Sequence, residues 1–500
     1  QLPLLGARLH FGAVGFRKII LRAPCLKKYK IKAGDQMDRI QLKEIYARLS
    51  EYDGKTVTVA GWAKTIRDSK AFGFIELNDG SCFKNMQIVF ERASLDNYDE
   101  IAHENVGAAL VVTGKVVATP ENKQPCEIKA ETVAVEGESA PDYPLQKKRH
   151  SVEFLREIAY LRPRTNLFNA VFKIRSEAAF AIHKFFNERG FVYVHTPIIT
   201  GSDCEGAGGM FQITTLDLDG LAKAKNLSGA DYKEDFFGKK ASVTGSGQLH
   251  GETFAMAFSN VYTFGPTFRS ERSNTSRHAA EFWMIEPEMA FCDLKGDMDC
   301  AEAMVKSVIG YVGETCADEL AFLNQFVDKE LLSRLKNVSE NEFVRLSYTE
   351  AIEILKEHAN EFDDKNIFWG KDLQSEHERF LTEKVYKKPV FLTDYPKEIK
   401  SYYMKQNADG KTVAAADLLV PGIGELVGGS QREDDYEKLK ARMLECGVPP
   451  EDWYLNLRKY GGTTHSGFGL GFERLVMYLT GVTNIRDVIP FPRTVGNLDY

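Results

Sequence analysis

Five runs of β-forming residues fall within 55–135: 55–67 (KTVTVAGWAKTIR), 71–77 (AFGFIEL), 85–90 (NMQIVF), 108–118 (AALVVTGKVVA) and 126–135 (CEIKAETVAV). Their alternating or clustered β-formers, bounded by turn signals such as Asn78-Asp79-Gly80, mark strands rather than helices. A polar, helical piece is expected near 96–105, between the third and fourth runs. Three strands, a helix and two strands is the order of a five-stranded OB barrel. Strand order alone equally allows a small barrel that binds nothing.

Residues 137–165 read as a hinge. They hold Pro141, Pro144 and Pro163 and the basic run Lys147-Lys148-Arg149-His150. Such a run is a solvated face or, between two domains of an RNA enzyme, a phosphate contact. From 166 to 500 helices and strands mix in one large α+β domain. Within 167–189, Val171, Ile174, Ala178, Ile182 and Phe185 recur at steps of three and four, one helix face. Gly190 ends that helix and Phe191–Val194 is a short strand. Further helices are expected at 299–313 and 348–359. The stretch at about 213–240 reads as a surface insertion.

Composition narrows the function. Hydrophobic residues make up 43% and charged residues 27%, ordinary for a globular chain. No apolar run approaches the ~20 residues of a membrane span, so no membrane partner is expected. A net charge of −7 argues against nucleic-acid binding through bulk charge alone. The eight cysteines form no CxxC pair and are read as free thiols of a reducing compartment, the cytoplasm. Residues 1–36 stand apart: eight basic side chains and one acidic give +7, which leaves −14 for the rest. This leader is either an organelle presequence or an extension ahead of a start at Met37; its few serines favour the second.

Several familiar motifs fail. Position 405, where a phosphate loop ending in Gly410-Lys411-Thr412 needs glycine, is Lys405, and His377-Glu378 lacks a histidine at 381. Three other segments are informative together. The first is the helix before Gly190 with the following residues to Pro197. The second is Thr267-Phe268-Arg269-Ser270-Glu271, a loop with Arg277 and His278, then Glu281 to Glu286. The third is Gly467-Phe468-Gly469-Leu470-Gly471-Phe472-Glu473-Arg474. Arg269 and Arg474 offer permanently charged forks to phosphate, and Phe282 with Arg474 suits a flat purine. The glycines allow a close approach beneath a nucleotide. In this order the segments resemble motifs 1, 2 and 3 of class II aminoacyl-tRNA synthetases, and the barrel ahead of them resembles the aspartate, asparagine and lysine subgroup. The stretch 244–252 (TGSGQLHGE) carries Gly251 where the aspartyl enzymes place a carboxylate-binding lysine. That change suits a neutral amide. Together with Gly422-Ile423-Gly424-Glu425 and Gly429-Ser430-Gln431-Arg432, the resemblance over about 37–500 is to the bacterial-type asparaginyl branch.

The resemblance implies a catalytic domain built on an antiparallel sheet flanked by helices, and ATP-dependent ligation of L-asparagine to tRNA(Asn), with Mg²⁺, by a homodimer joined through the motif 1 helix. It places Arg269, Glu271, His278, Phe282, Glu425 and Arg474 on ATP, with Arg269, Glu271 and Arg474 catalytic. Glu205, Ser246, Gln248, Glu252, Glu286 and Arg432 would bind the amino acid, Arg432 through the amide oxygen. Glu425 and Asp417 would hold Mg²⁺. Phe74 and Gln87 would read the anticodon, on a domain spanning 37–136. Three rivals remain: an enzyme that also charges aspartate, an asparagine-making ligase on the same core, and an inactive RNA-binding paralogue.

Overall fold

The computed structural model describes residues 39–202, 204, 209–223, 231–273 and 275–500; the basic leader and Met37 lie outside them. The first domain is a closed barrel of β1 (Thr56–Asp68), β2 (Phe72–Asn78), β3 (Met86–Glu91), β4 (Ala109–Ala118) and β5 (Cys126–Gly137), ordered β1-β2-β3-β5-β4. The expected helix lies at Tyr98–His103. Along β2, Ile75 and Leu77 point into the core while Phe74 and Glu76 face out. Gly73 is required there, because a Cβ would sit 2.2 Å from the Phe90 ring that fills the barrel. A helix at Leu42–Ala47, which the sequence reading did not anticipate, seats Leu42 and Ile45 in the barrel core.

The second domain carries an eight-stranded sheet. Its strands are β6 (Val192–Tyr193), β10 (Asn260–Phe268), β11 (Glu281–Ala290), β12 (Val344–Ser347), β13 (Val390–Pro396), β14 (Thr412–Val420), β15 (Gly424–Gln431) and β16 (His465–Gly471). The order is β12-β13-β14-β15-β16-β11-β10-β6. The six central strands are antiparallel, as expected, but both edge pairs, β12 with β13 and β6 with β10, are parallel. Long connections, helical between β12 and β13 and mixed between β6 and β10, separate each edge strand from its partner, and a parallel pairing needs such a crossover. Strands β7 (Ile199–Thr200), β8 (Gln212–Ile213) and β9 (Ala241–Val243) form a separate small sheet. Strands β8 and β9 therefore bracket the insertion, and within it Asp235 accepts from the Thr215 N–H and Oγ1, both at 2.8 Å.

The motif 1 helix runs Asn166–Glu188. Thr165 caps its start, accepting the Phe168 N–H. At its end Gly190 has φ +77° and the Phe191 N–H reaches the Phe186 carbonyl at 3.0 Å, a Schellman closure. This helix, Leu294–Thr315 and Phe472–Thr480 pack against the sheet in one core. Among the described residues no helix is long and apolar enough to cross a membrane.

The hinge is anchored to the C-terminal segment. Arg162 is fully buried; it donates to the Arg486 carbonyl at 3.0 Å and stacks over Phe168 at 4.4 Å. Asp487 lies 3.6 Å from Arg162 and takes a two-pronged contact from Arg156 at 2.8 and 2.6 Å. Asp487→Ala would leave a buried guanidinium without its carboxylate, at a cost of about 3 kcal/mol. The expected result is a clear fall in the urea midpoint of the catalytic domain; an unchanged midpoint would contradict this anchoring role.

Candidate active site

Strand alternation builds the floor. Phe282, Met284, Glu286 and Glu288 share one face of β11, and all four line two adjoining cavities. On neighbouring β16, Gly471 pairs with Met284 and Gly467 with Glu288. A Cβ at Gly467 would lie 2.4 Å from Glu288 Oε1 and from the Pro287 carbonyl oxygen. The glycine strip therefore leaves the side chains of β11 room to lie across the sheet.

The first cavity is lined by Arg269, Glu271, Arg277, His278, Phe282, Glu425 and Arg474. Arg269 lies 5.4 Å from the centroid of the Phe282 ring. Arg474 comes from the helix Phe472–Thr480 and is held by Glu425, donating to its carbonyl at 2.9 Å and lying 3.3 Å from its carboxylate. Arg277 donates to Ser375 Oγ at 2.7 Å. His278 is exposed, its Nδ1 2.5 Å from Thr275 Oγ1. Three guanidinium groups beside an aromatic ring suit a polyanion with a flat base.

The second cavity is joined to the first through shared walls, Arg269, Met284, Glu425 and Gly469. Ser246 Oγ donates to Glu286, which also accepts from the Gly247 N–H at 2.9 Å and Thr263 Oγ1 at 3.1 Å. Gln248 lines the wall with its backbone N–H on Ser246 Oγ at 3.1 Å. Arg432 is almost fully buried; it grips Glu288 at 2.5 and 3.2 Å and Ser430 Oγ at 2.7 Å. Burial pushes the Glu288 carboxyl up, and the Arg432 guanidinium pulls it back down. Glu288 escaped the sequence reading, although its spacing of two from Glu286 on a strand puts both on one face.

Three expectations change. Glu252 does not line the cavity. It is buried behind it, accepting from Arg458 at 2.7 Å, His465 Nε2 at 3.0 Å, Tyr454 at 2.8 Å and Gln248 at 3.1 Å. Burial opposes its charge, but Arg458 and His465 hold its carboxyl well below the usual range. Arg432 does line the cavity but is already paired with Glu288, so the two act as one unit. Asp417 forms an ion pair with Lys400 at 2.5 Å, which neutralises it. Glu205 lies outside the described residues.

Gly251 takes a specific place. A Cβ there would meet Glu288 Cγ at 3.4 Å, an ordinary van der Waals contact, so the position lies directly against the stem of Glu288. Glu425 and Asp417 converge: Glu425 Oε1 and Asp417 Oδ1 lie 3.2 and 3.5 Å from the point a Gly428 Cβ would occupy. A further carboxyl, Glu378, accepts the Glu425 N–H at 3.1 Å; burial and then Glu425 raise it to about 7. Its position in a short helix far along the chain gave no sequence signal.

On the barrel, Phe74 is half-exposed on the outer face and stacks edge-on with Phe72 at 5.4 Å. Gln87 pairs across from Glu76 and donates to Glu127 at 3.0 Å. Both therefore lie outside the barrel core, and exposed Phe72 joins them.

Residues 151–495 match the model for class II tRNA synthetases of the D, K and N type, and 57–135 match that for an OB-fold nucleic acid binding domain. The asparagine–tRNA ligase of Clostridium perfringens (strain 13) is 60% identical over 465 residues, 93% of this chain and 100% of that protein. That of Acetivibrio thermocellus is 60% identical over 461 residues, covering 92% and 99%. The asparaginyl-tRNA synthetase of Pyrococcus horikoshii, solved with asparaginyl-adenylate, superposes with a TM-score of 0.80 at 32% identity, over 93% of this chain and 100% of that one. With its barrel, its three motif segments and its paired cavities, the chain belongs to the class II tRNA synthetases of the aspartate, lysine and asparagine group, in the asparagine–tRNA ligase family.

Proposed function

We propose that the chain activates L-asparagine with ATP and transfers it to tRNA(Asn), releasing AMP and pyrophosphate. The observation that carries this reading is the Glu288–Arg432 pair in a cavity that opens into a cation-lined nucleotide slot. A carboxamide presents an oxygen acceptor and an N–H donor side by side. Arg432 supplies the donor and Glu288 the acceptor. Replacing the amide by a carboxylate puts a second anion against Glu288, with no lysine at Gly251 to offset it. A site built to hydrogen-bond one group rejects the analogue that leaves it mispaired.

In this reading adenine lies between Phe282 and Arg474, with Glu271 at its amino end. His278 and Arg277 face the far phosphates. Arg269, at the junction of the cavities, spans the α-phosphate and the substrate carboxylate. Glu286, with Ser246 and Gln248, and Glu205 from its loop, form the ammonium side. The carboxylate is ionised at neutral pH, so no general base is needed. It attacks the α-phosphorus as pyrophosphate leaves, and the acceleration comes from alignment and from neutralising the phosphate charge. The terminal ribose hydroxyl of the tRNA then displaces AMP. The convergence of Glu425 and Asp417 fits Mg²⁺, which takes one or two carboxylates together with substrate phosphate; bound there, the ion would neutralise phosphate charge once Lys400 yields Asp417.

Phe74, with Gln87, is assigned to the anticodon because outward aromatics and amides on an OB barrel stack and pair with splayed bases. Exposed Phe180, Tyr193, Phe254 and Phe258 near the β6 edge favour a homodimer there. Sedimentation is expected to give the mass of two chains; a monomer at micromolar concentration would contradict it.

Pyrophosphate exchange followed by tRNA charging tests the function. Asparagine is expected to support both, with aspartate at least about a hundredfold poorer; comparable exchange with aspartate would defeat the specificity. Arg432→Ala is expected to raise the asparagine KM strongly, roughly thirtyfold for about 2 kcal/mol of lost hydrogen bonding; an unchanged KM removes Arg432 from the pocket. Phe74→Ala is expected to impair tRNA charging far more than exchange. Equal losses in both would contradict a role in reading RNA.

A further inference from the structure

The two carboxylates that converge beside the shared wall of the cavities each hold a cation of the fold. Glu425 Oε1 and Asp417 Oδ1 lie 3.2 and 3.5 Å from the point a Gly428 Cβ would occupy. Glu425 is 3.3 Å from Arg474, and Asp417 Oδ2 takes the Lys400 ammonium at 2.5 Å. Glu378 adds a third carboxyl, accepting the Glu425 N–H at 3.1 Å. The two cations differ in how firmly they are held.

Arg474 is fixed. It sits in the first turn of the helix Phe472–Thr480, and its second bond, to the Glu425 carbonyl at 2.9 Å, ties the guanidinium to the backbone. Lys400 has a looser setting. It follows the short turn Lys397–Ile399 in the connection between β13 and β14. It reaches Asp417 on a flexible four-carbon stem, its ammonium 3.9 Å from the centroid of the Tyr395 ring. Lys400 also lines the second cavity, together with Arg269, Asp417 and Glu425. The ammonium can therefore turn from Asp417 into the cavity without crossing the core.

Asp417 offers one oxygen to each side. Lys400 occupies Oδ2, while Oδ1 faces Glu425. A divalent ion between Oδ1 and Glu425 would share Asp417 with the ammonium, and two cations on one buried carboxylate repel through a low dielectric. A triphosphate in the adjoining cavity changes the balance. It gives the released ammonium phosphate oxygens as new partners, and it supplies oxygens that Mg²⁺ takes beside one or two carboxylates.

We propose that Lys400 is an exchangeable counter-ion of the Asp417–Glu425 pair: it holds Asp417 while the nucleotide slot is empty, weakens the grip of the pair on a free divalent cation, and moves to the phosphates when ATP arrives with its Mg²⁺. This rests on the ATP and Mg²⁺ reading above. Lys400 thus ties entry of the metal to entry of the nucleotide.

The test uses the full chain without asparagine or tRNA, and Mn²⁺ as the probe, followed by electron paramagnetic resonance. Lys400→Met is expected to bind Mn²⁺ alone about tenfold or more tighter than the unmodified protein, because the competing ammonium is gone. Lys400→Arg keeps the charge and is expected to bind it as weakly as the original. The gain is expected to vanish in the K400M/E425Q protein. At saturating Mn²⁺ the ATP Kd of Lys400→Met is expected to rise about fivefold or more, since a phosphate contact is lost and the carboxylates are already filled. Unchanged Mn²⁺ affinity in folded Lys400→Met protein would overturn the proposal. So would a gain that survives E425Q, or an ATP Kd that does not rise. Lys400→Gln guards against misfolding of the methionine variant; loss of fold in both would make the ion pair structural and overturn the proposal too. Absence of asparagine-dependent pyrophosphate exchange in the unmodified protein would strike the functional reading instead, since Mn²⁺ and ATP binding are measured without the amino acid.

Discussion

The buried pair of Glu288 and Arg432 is the contact around which the site is arranged. Two opposite charges are almost wholly removed from water, which is costly unless geometry and further hydrogen bonds compensate. Two strands of the sheet and the helix Gln248–Phe258 accommodate the pair. Gly467 leaves space for Glu288 to lie across β16, Ser430 satisfies a second arm of Arg432, and Gly251 leaves room beside the Glu288 stem. Behind them, Glu252 with Arg458, His465 and Tyr454 forms a second buried charged network in which the acid is held by two basic side chains. The result is a wall in which Arg432 and Glu288 line the second cavity side by side.

The rest of the domain aligns that wall with the first, cation-lined cavity. A single strand, β11, carries Phe282 toward one end and Glu288 toward the other, so the distance between the aromatic ring and the Glu288–Arg432 pair is set by strand geometry. Arg269 at the junction belongs to both cavities. Such an arrangement favours chemistry by alignment, because its charged groups are positioned before substrate arrives.

Local sequence carried much of this. The five barrel strands were legible because alternation and Gly/Asp breaks agree with each other, and the motif 1 helix because its apolar steps end at a glycine in the left-handed region. The glycines of β16 and the guanidinium groups of Arg269 and Arg474 were legible as motif. Partnerships across long separations were not. Glu252 was read as a pocket residue because nothing near it in sequence announces Arg458 or His465, more than 200 positions away. Lys400, which neutralises Asp417, and Glu378, which holds the Glu425 N–H, come from loops and short helices without periodic pattern. The parallel edge strands were missed for the same reason, since pairing direction depends on where a connection returns.

A structure of the protein bound to a non-hydrolysable asparaginyl-adenylate analogue tests the central claim most directly. The carboxamide oxygen is expected on Arg432 and its nitrogen on Glu288, with adenine between Phe282 and Arg474. A carboxamide turned away from Glu288, or a purine outside the Phe282–Arg474 slot, would contradict it.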